Sequence, residues 1–310
     1  MSALASVPEG APVQGEVLTR PRGLKPSRAA NAPAQVLLVV LAVLWVLPLL
    51  WAVYTSLRPE SDTNANGYFS LAHSLTFRNF SDAWTQGQIP LHFWNSVKIT
   101  VPAVIITLAF STSVAFVVAR FSFRFNIVLL LLFTAGNLLP PQVLLSPLFK
   151  IFIGVHLPLW LTGNSGTLYD STFGLVVINV AFQTGFCVFV LSNFMRTIPV
   201  ELTEAALVDG ASVWTQYWRL TLPLCRPALA ALATLLTTWI YNDFFWALTL
   251  MSTGDKFPVT SALKNLQGQF AQNNNLLSAA ALIIALPTLI VYLVLQRQFI
   301  AGLTLGSTKG

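Results

Sequence analysis

The chain has 310 residues, of which 55% are hydrophobic and only 9% are charged. Soluble domains carry about 25% charged residues, so this composition excludes an ordinary soluble enzyme and makes lipid the solvent for most of the chain. The net charge of +6 then reads as Lys and Arg gathered in cytoplasmic loops rather than as a nucleic-acid surface.

Residues 1–33 are rich in Ala, Pro and Arg and lack helical period. They are expected to be a disordered cytoplasmic tail. The remainder, 34–310, reads as one all-α domain of a polytopic membrane protein. Six transmembrane helices are expected near 35–57, 97–119, 126–148, 173–194, 227–250 and 277–296, each able to cross about 30 Å of hydrocarbon at about 1.5 Å per residue. The first has a basic flank like a signal peptide, but its apolar core is too long and no small-x-small site follows it, which suits an uncleaved signal anchor.

Between the first two spans, Trp84, His92, Phe93 and Trp94 suggest an interfacial helix with aromatic anchors. The loop 149–172 reads as an ordinary extracellular connection. Prolines 48, 102, 140, 141, 147 and 287 fall within spans and are expected to kink them. Ser111, Ala115 and Ala119 recur every four residues, as do Ala281 and Ala285. Such small residues allow close helix contact, within the chain or with a second membrane subunit.

With the N-terminus placed inside, eleven Lys and Arg residues fall in inner segments and six in outer ones (Arg58, Arg78, Lys98, Lys150, Lys256 and Lys264). This bias predicts both termini in the cytoplasm.

Familiar catalytic chemistry is missing. His73, His92 and His156 are scattered, and Cys187 and Cys225 lie far apart, so neither a metal site nor a disulfide framework is legible. The closing GLTLGSTKG fails the spacing of a phosphate-binding loop. Energy must therefore come from a partner or an ion gradient. Asp243, in WIYNDFFWAL, is the one acid deep within a span. Such a group either contacts a substrate or ion, or is bonded to polar neighbours, Asn242 among them. Trp239, Asn242 and Asp243 are the candidate cavity or substrate residues, since together they offer an aromatic face and hydrogen-bonding groups.

The insert between the fourth and fifth spans, at about 195–226, is the most specific segment. Pro199 suits the first turn of a helix. Glu201 and Glu204 complement its positive end, and Ala205 and Ala206 make one face small. Gly210 can take the left-handed conformation that ends it. Ser212 can cap a second helix bearing Trp214, Tyr217 and Trp218.

This spacing resembles the EAA loop of ABC importer permeases: EAA, three residues, Gly, nine residues, Ile, one residue, Leu-Pro. Glu204, Ala205, Ala206, Gly210, Leu222 and Pro223 match, Leu220 replaces the Ile, and Asp209 completes a DGA that looks like the carbohydrate-uptake class, which includes the maltose transporter's membrane subunits. Further likenesses are TSLRP, NSVKIT, LLPPQVLLSPLF, YNDFFWAL and the closing QRQFIAGLTLGSTKG.

The resemblance implies a type I ABC importer (MetI-like) permease fold in a bacterial inner membrane. It implies a non-catalytic subunit that binds no cofactor itself. ATP and Mg would sit on two ATP-binding-cassette ATPase subunits, and a second permease subunit would complete a heterodimer. An extracytoplasmic solute-binding protein would deliver a sugar or another small polar solute. Glu204 would contact the ATPase, Ala205 and Ala206 would permit close approach, Gly210 would form the turn, and 302–310 would also touch the ATPase. A secondary carrier would instead call for inverted repeats and more intramembrane charge, and an intramembrane enzyme for a catalytic constellation; the sequence offers neither.

Overall fold

A computed structural model describes residues 32–121, 124–136, 139–266 and 273–304. Nearly all of the expected tail, and residues 305–310 at the other end, lie outside them. Fifteen helical segments follow in order: α1 (Ala32–Ser56), α2 (Glu60–Asn66), α3 (Arg78–Gln86), α4 (Ile89–Arg120), α5 (Asn126–Gly136), α6 (Leu145–Gly154), α7 (Leu159–Thr162), α8 (Thr172–Arg196), α9 (Val200–Val208), α10 (Val213–Thr215), α11 (Leu222–Leu224), α12 (Arg226–Tyr241), α13 (Phe245–Leu250), α14 (Val259–Ala262) and α15 (Asn274–Thr304). The chain divides into two compact units, one ending at Leu49 and the other running from Leu50. The described part of the first is the apolar start of α1.

Helices α1, α4, α8 and α15 are each long and apolar enough to cross a membrane, and two bent helix pairs bring the number to as many as six. Two expected spans are broken. In the third, α5 and the stretch Pro141–Gly154 meet at 92°. Pro140 caps the second stretch and Pro141 opens it; prolines supply no backbone donors and disfavour helix before them. In the fifth, α12 ends at Tyr241. It is about 24 Å long at ~1.5 Å per residue, too short for ~30 Å of hydrocarbon, and α13 resumes after a three-residue gap.

The second span also begins earlier than hydropathy suggests, at Ile89 rather than 97. Phe93 and Trp94 are thus in the first turns of α4, and only Trp84 lies on a separate short helix, α3. His92, expected as an interfacial anchor, is 2% exposed, and its Nδ1 donates to the Phe257 carbonyl at 2.8 Å. Its neighbours in NSVKIT do the same work. Asn95 donates to the carbonyls of Asp255 and Phe257, and Ser96 Oγ accepts from the Val259 backbone N–H. These bonds pin the 255–259 loop to the start of α4.

The core centres on the seam between α4 and α8. Ser111 and Ala115 are buried there with Cys187, Leu191 and Met195. Small side chains let the two backbones approach, so that Ser111 Oγ donates to the Thr184 carbonyl at 3.3 Å. Ala281 and Ala285 are exposed, whereas Ala279 and Ala280 are buried with Leu276 and Ile284. The alanine repeat on α15 therefore faces away from the contacts made within this chain.

TSLRP organises the segment between α1 and α3. Arg58 is 1% exposed, and its guanidinium donates to Asp62, Ser70 Oγ and the carbonyls of Gly67 and Ser70. A buried cation persists only when it is satisfied in this way. The Arg58 carbonyl also accepts from Asn79 and Asn275.

Candidate functional site

The insert between α8 and α12 is a helical hairpin. Pro199 stands just before α9 as its N-cap, one position earlier than expected. At the other end, Gly210 has φ +76°, its N–H donates to the Leu207 carbonyl, and the Ala211 N–H donates to Ala206. This pair of bonds is a Schellman motif, which requires a left-handed residue at the position of Gly210. Ser212 Oγ then accepts from the Thr215 N–H at 3.2 Å, capping the return leg.

The return leg contains a π-helical turn over Gln216–Thr221, and the whole leg Val213–Leu224 meets α12 at 71°. The wider turn carries Tyr217 inward, where it is 7% exposed, while Trp214 and Trp218 stay largely exposed. π-turns inside helices often mark functional positions. The three rings form a cluster with centroids 5.2 to 6.1 Å apart. An apolar cleft of about 200 Å³ beside them is lined by Phe116, Val117, Phe121, Val213 and Trp214 among others.

The structure places the expected coupling residues in two groups. Glu204, Ala205, Asp209 and Gly210 are exposed, and Ala206 is half-buried. Glu204 makes no hydrogen bond or ion pair among the described residues, and Leu207, Val208, Val213 and Trp214 on the same hairpin are exposed apolar side chains. Leu222 and Pro223 sit on α11, half-buried, where they join the hairpin to α12.

Asp243 lies in the gap between α12 and α13. Its Oδ1 accepts from the Trp246 N–H at 3.2 Å, which caps the restarted helix, and its Oδ2 accepts from Asn179 Nδ2 on α8 at 3.4 Å. The polar partner is therefore Asn179, not Asn242. The Asn242 amide donates instead to the Thr238 carbonyl and is exposed. Trp239 is 43% exposed and tilts against Phe186 at 5.3 Å. Asp243 thus faces inward, and Trp239 and Asn242 face outward. Among the described residues no three His, Cys, Asp or Glu side chains converge as a metal ion would need.

Sequence reasoning missed a clamp in the loop before α8. Asp170 has φ +53°, and its Oδ1 accepts from the N–H groups of Ser252 and Thr253. Its Oδ2 accepts from Thr253 Oγ1 and from Lys256 Nζ at 3.0 Å. Burial pushes this carboxyl up, but the Thr253 and Ser252 N–H groups, the Thr253 hydroxyl and Lys256 together bring it down to about 2. The left-handed backbone at an Asp is a signal only the structure reveals.

A family model for the binding-protein-dependent transport system inner membrane component matches residues 111–304. The chain belongs to that family. The match takes in the whole insert, α12, α13 and the α4–α8 seam from Ser111 onward. Among relatives of this permease, the osmoprotective compounds uptake permease protein GgtD of Synechocystis is 31% identical over 284 residues, 89% of this chain and 92% of that protein. The diacetylchitobiose uptake system permease protein NgcG of Streptomyces coelicolor is 30% identical over 285 residues, covering 91% and 90%. In fold, the permease is similar to a chain of a bacterial ABC transporter involved in the import of the acidic polysaccharide alginate. The TM-score is 0.73 at 20% identity, covering 89% of this chain and 98% of that one. The permease is built from helices, with no strand among its described residues.

Proposed function

We propose that this permease imports a small sugar or oligosaccharide, driven by two ATP-binding-cassette ATPases that dock on the hairpin at α9. The observation that carries the coupling role is the exposed, unpartnered Glu204 beside Ala205 and an apolar rim, held at a fixed angle by the Gly210 turn. An exposed apolar patch around an unpaired charge suits a partner surface rather than water. In this reading Ala205 and Ala206 allow close approach, Asp209 and Gly210 set the turn, and Leu222 and Pro223 pass motion into α12. ATP and Mg belong to the ATPases, and this chain binds no cofactor.

The inner position of the hairpin, and of both termini, rests on the Lys and Arg bias. A second permease subunit completes the pathway, and an extracytoplasmic binding protein delivers solute to it. ATPase closure moves the hairpins and switches the cavity between two access states, a rigid-body transition with the free energy supplied elsewhere. Trp239 and Asn242 are the residues proposed to line the pathway, because they combine an aromatic face and an amide on the outward side of α12. Asp243 supports them by holding the helix break in place.

A sugar substrate follows from relatives such as the diacetylchitobiose permease. A small polar osmolyte is the second reading, favoured by the name of the Synechocystis relative. The coupling test is Glu204→Lys in the full complex with its ATPases and binding protein. Unchanged permease levels with ATP-driven uptake reduced by more than about tenfold are expected; normal uptake by that variant would overturn the coupling role. Binding of labelled disaccharides against small osmolytes by the cognate binding protein decides the cargo.

A further inference from the structure

The hairpin is tied to α4 at both of its ends. Before α9, Arg120, the last residue of α4, donates from Nη1 to the Ile198 carbonyl at 3.4 Å. After α9, the Tyr217 hydroxyl donates to Thr112 Oγ1 at 3.0 Å. Thr112 in turn donates to the Leu108 carbonyl at 2.7 Å, so the tyrosine is joined to the backbone ladder of α4 itself. Ser113 Oγ lies 3.3 Å from the same hydroxyl, and the Phe116 ring packs 5.2 Å from the tyrosine ring. Thr112 is eight residues before the end of α4, about 12 Å along the helix. Between the two ties α9 has free faces, whereas beyond them α4 packs along α8 through Ser111 and Ala115.

From this geometry we propose that Tyr217 is a positioning residue that carries displacement of the α9 hairpin into α4, and through the α4–α8 seam into the transport pathway. The proposal rests on the hairpin being the site where the ATPase docks. A buried hydrogen bond resists separation because the Tyr217 hydroxyl, drawn away from α4, would lose both Thr112 Oγ1 and Ser113 Oγ in apolar surroundings. The exposed Trp214 and Trp218 pack against the ring, and apart from Ser113 and Tyr217 itself the cleft beside it is lined by Phe116, Val117, Phe121, Val213 and Trp214. The π-turn is the local device that brings Tyr217 to this register, since one extra residue per turn rotates it toward α4.

The test uses the reconstituted complex of this permease with its second permease, ATPases and binding protein. Tyr217→Phe removes only the hydroxyl, and Thr112→Val removes its partner. For each variant, complex assembly, ATPase rate and solute uptake are measured together. Each single variant is expected to assemble normally and to lower the ratio of solute moved to ATP hydrolysed about fivefold. The double variant is expected to be no worse than Tyr217→Phe alone, because that change already removes the bond to Thr112 along with the contact to Ser113. An unchanged ratio, or losses that multiply in the double variant, would overturn the role of Tyr217. If assembly falls and the ratio holds, the residue is structural only, and the proposal is also wrong. A wild-type complex whose ATPase does not respond to the loaded binding protein would instead overturn the coupling reading of the hairpin.

Discussion

Gly210 and Asp170 both sit in left-handed backbone, and they answer differently to substitution. A Cβ at Gly210 would meet nothing within 4 Å, so Gly210→Ala carries only the conformational cost, about 1 kcal/mol. A small fall in the thermal midpoint of the purified permease is expected, with a larger loss of coupled uptake because the α9 angle relaxes. Asp170→Asn keeps a residue that tolerates this backbone but removes the charge. The folded carboxyl titrates at about 2, below its ordinary 3.8. Its stabilisation is therefore fully present above about pH 4 and is lost as pH falls toward 2. It amounts to about 1–2 kcal/mol after allowance for partial exposure. Asp170→Asn is expected to lower the unfolding midpoint at pH 7 and to flatten its decline between pH 4 and 2; a parallel decline in both proteins would refute the assignment. Asp62 is likewise held below the usual carboxylate range, chiefly by the Arg58 guanidinium. Neither carboxylate was recognisable beforehand, because their partners are remote or, for Arg58, look like one more loop cation.

Among the helices, the α4–α8 seam depends on small residues. Ser111→Leu or Ala115→Leu inserts volume at a fully buried position of the seam, and overpacking of this kind costs about 1–3 kcal/mol. A marked drop in folded yield in membranes is expected. Ala281→Leu on the open face of α15 should change stability by less than about 0.5 kcal/mol; a drop as large as that of Ala115→Leu would show that α15 packs there. The small-residue repeats themselves were visible in the sequence, but which face each would cover was not, because spacing reports proximity along one helix and not the identity of the opposite one. The broken third span was foreshadowed by Pro140 and Pro141. The break at 242–244 was not, since hydropathy averages across a gap that a capping Asp makes possible. Asp243 thus looked like a charge inside a continuous helix, and it is the N-terminal support of a second one.

For the whole molecule, the composition settled the solvent and the EAA spacing settled the family, because both are carried by residues close together in the chain. The α9 helix, the Gly210 turn and the Ser212 cap are local devices, each needing only a few neighbouring residues to form. What holds these devices to the transport domain is of another kind. Tyr217 and Thr112 are 105 residues apart, and Asp170 and Lys256 are 86 apart. A tyrosine hydroxyl or an aspartate carries no sign of a partner that arrives only when helices pack. The sequence by itself therefore determined that this is a helical membrane permease, and it marked out the hairpin that we propose as the docking site. Only the tertiary structure decided that the hairpin is fastened to α4 at both ends, because hydrogen bonds between distant segments exist only once packing has brought their donors and acceptors within reach.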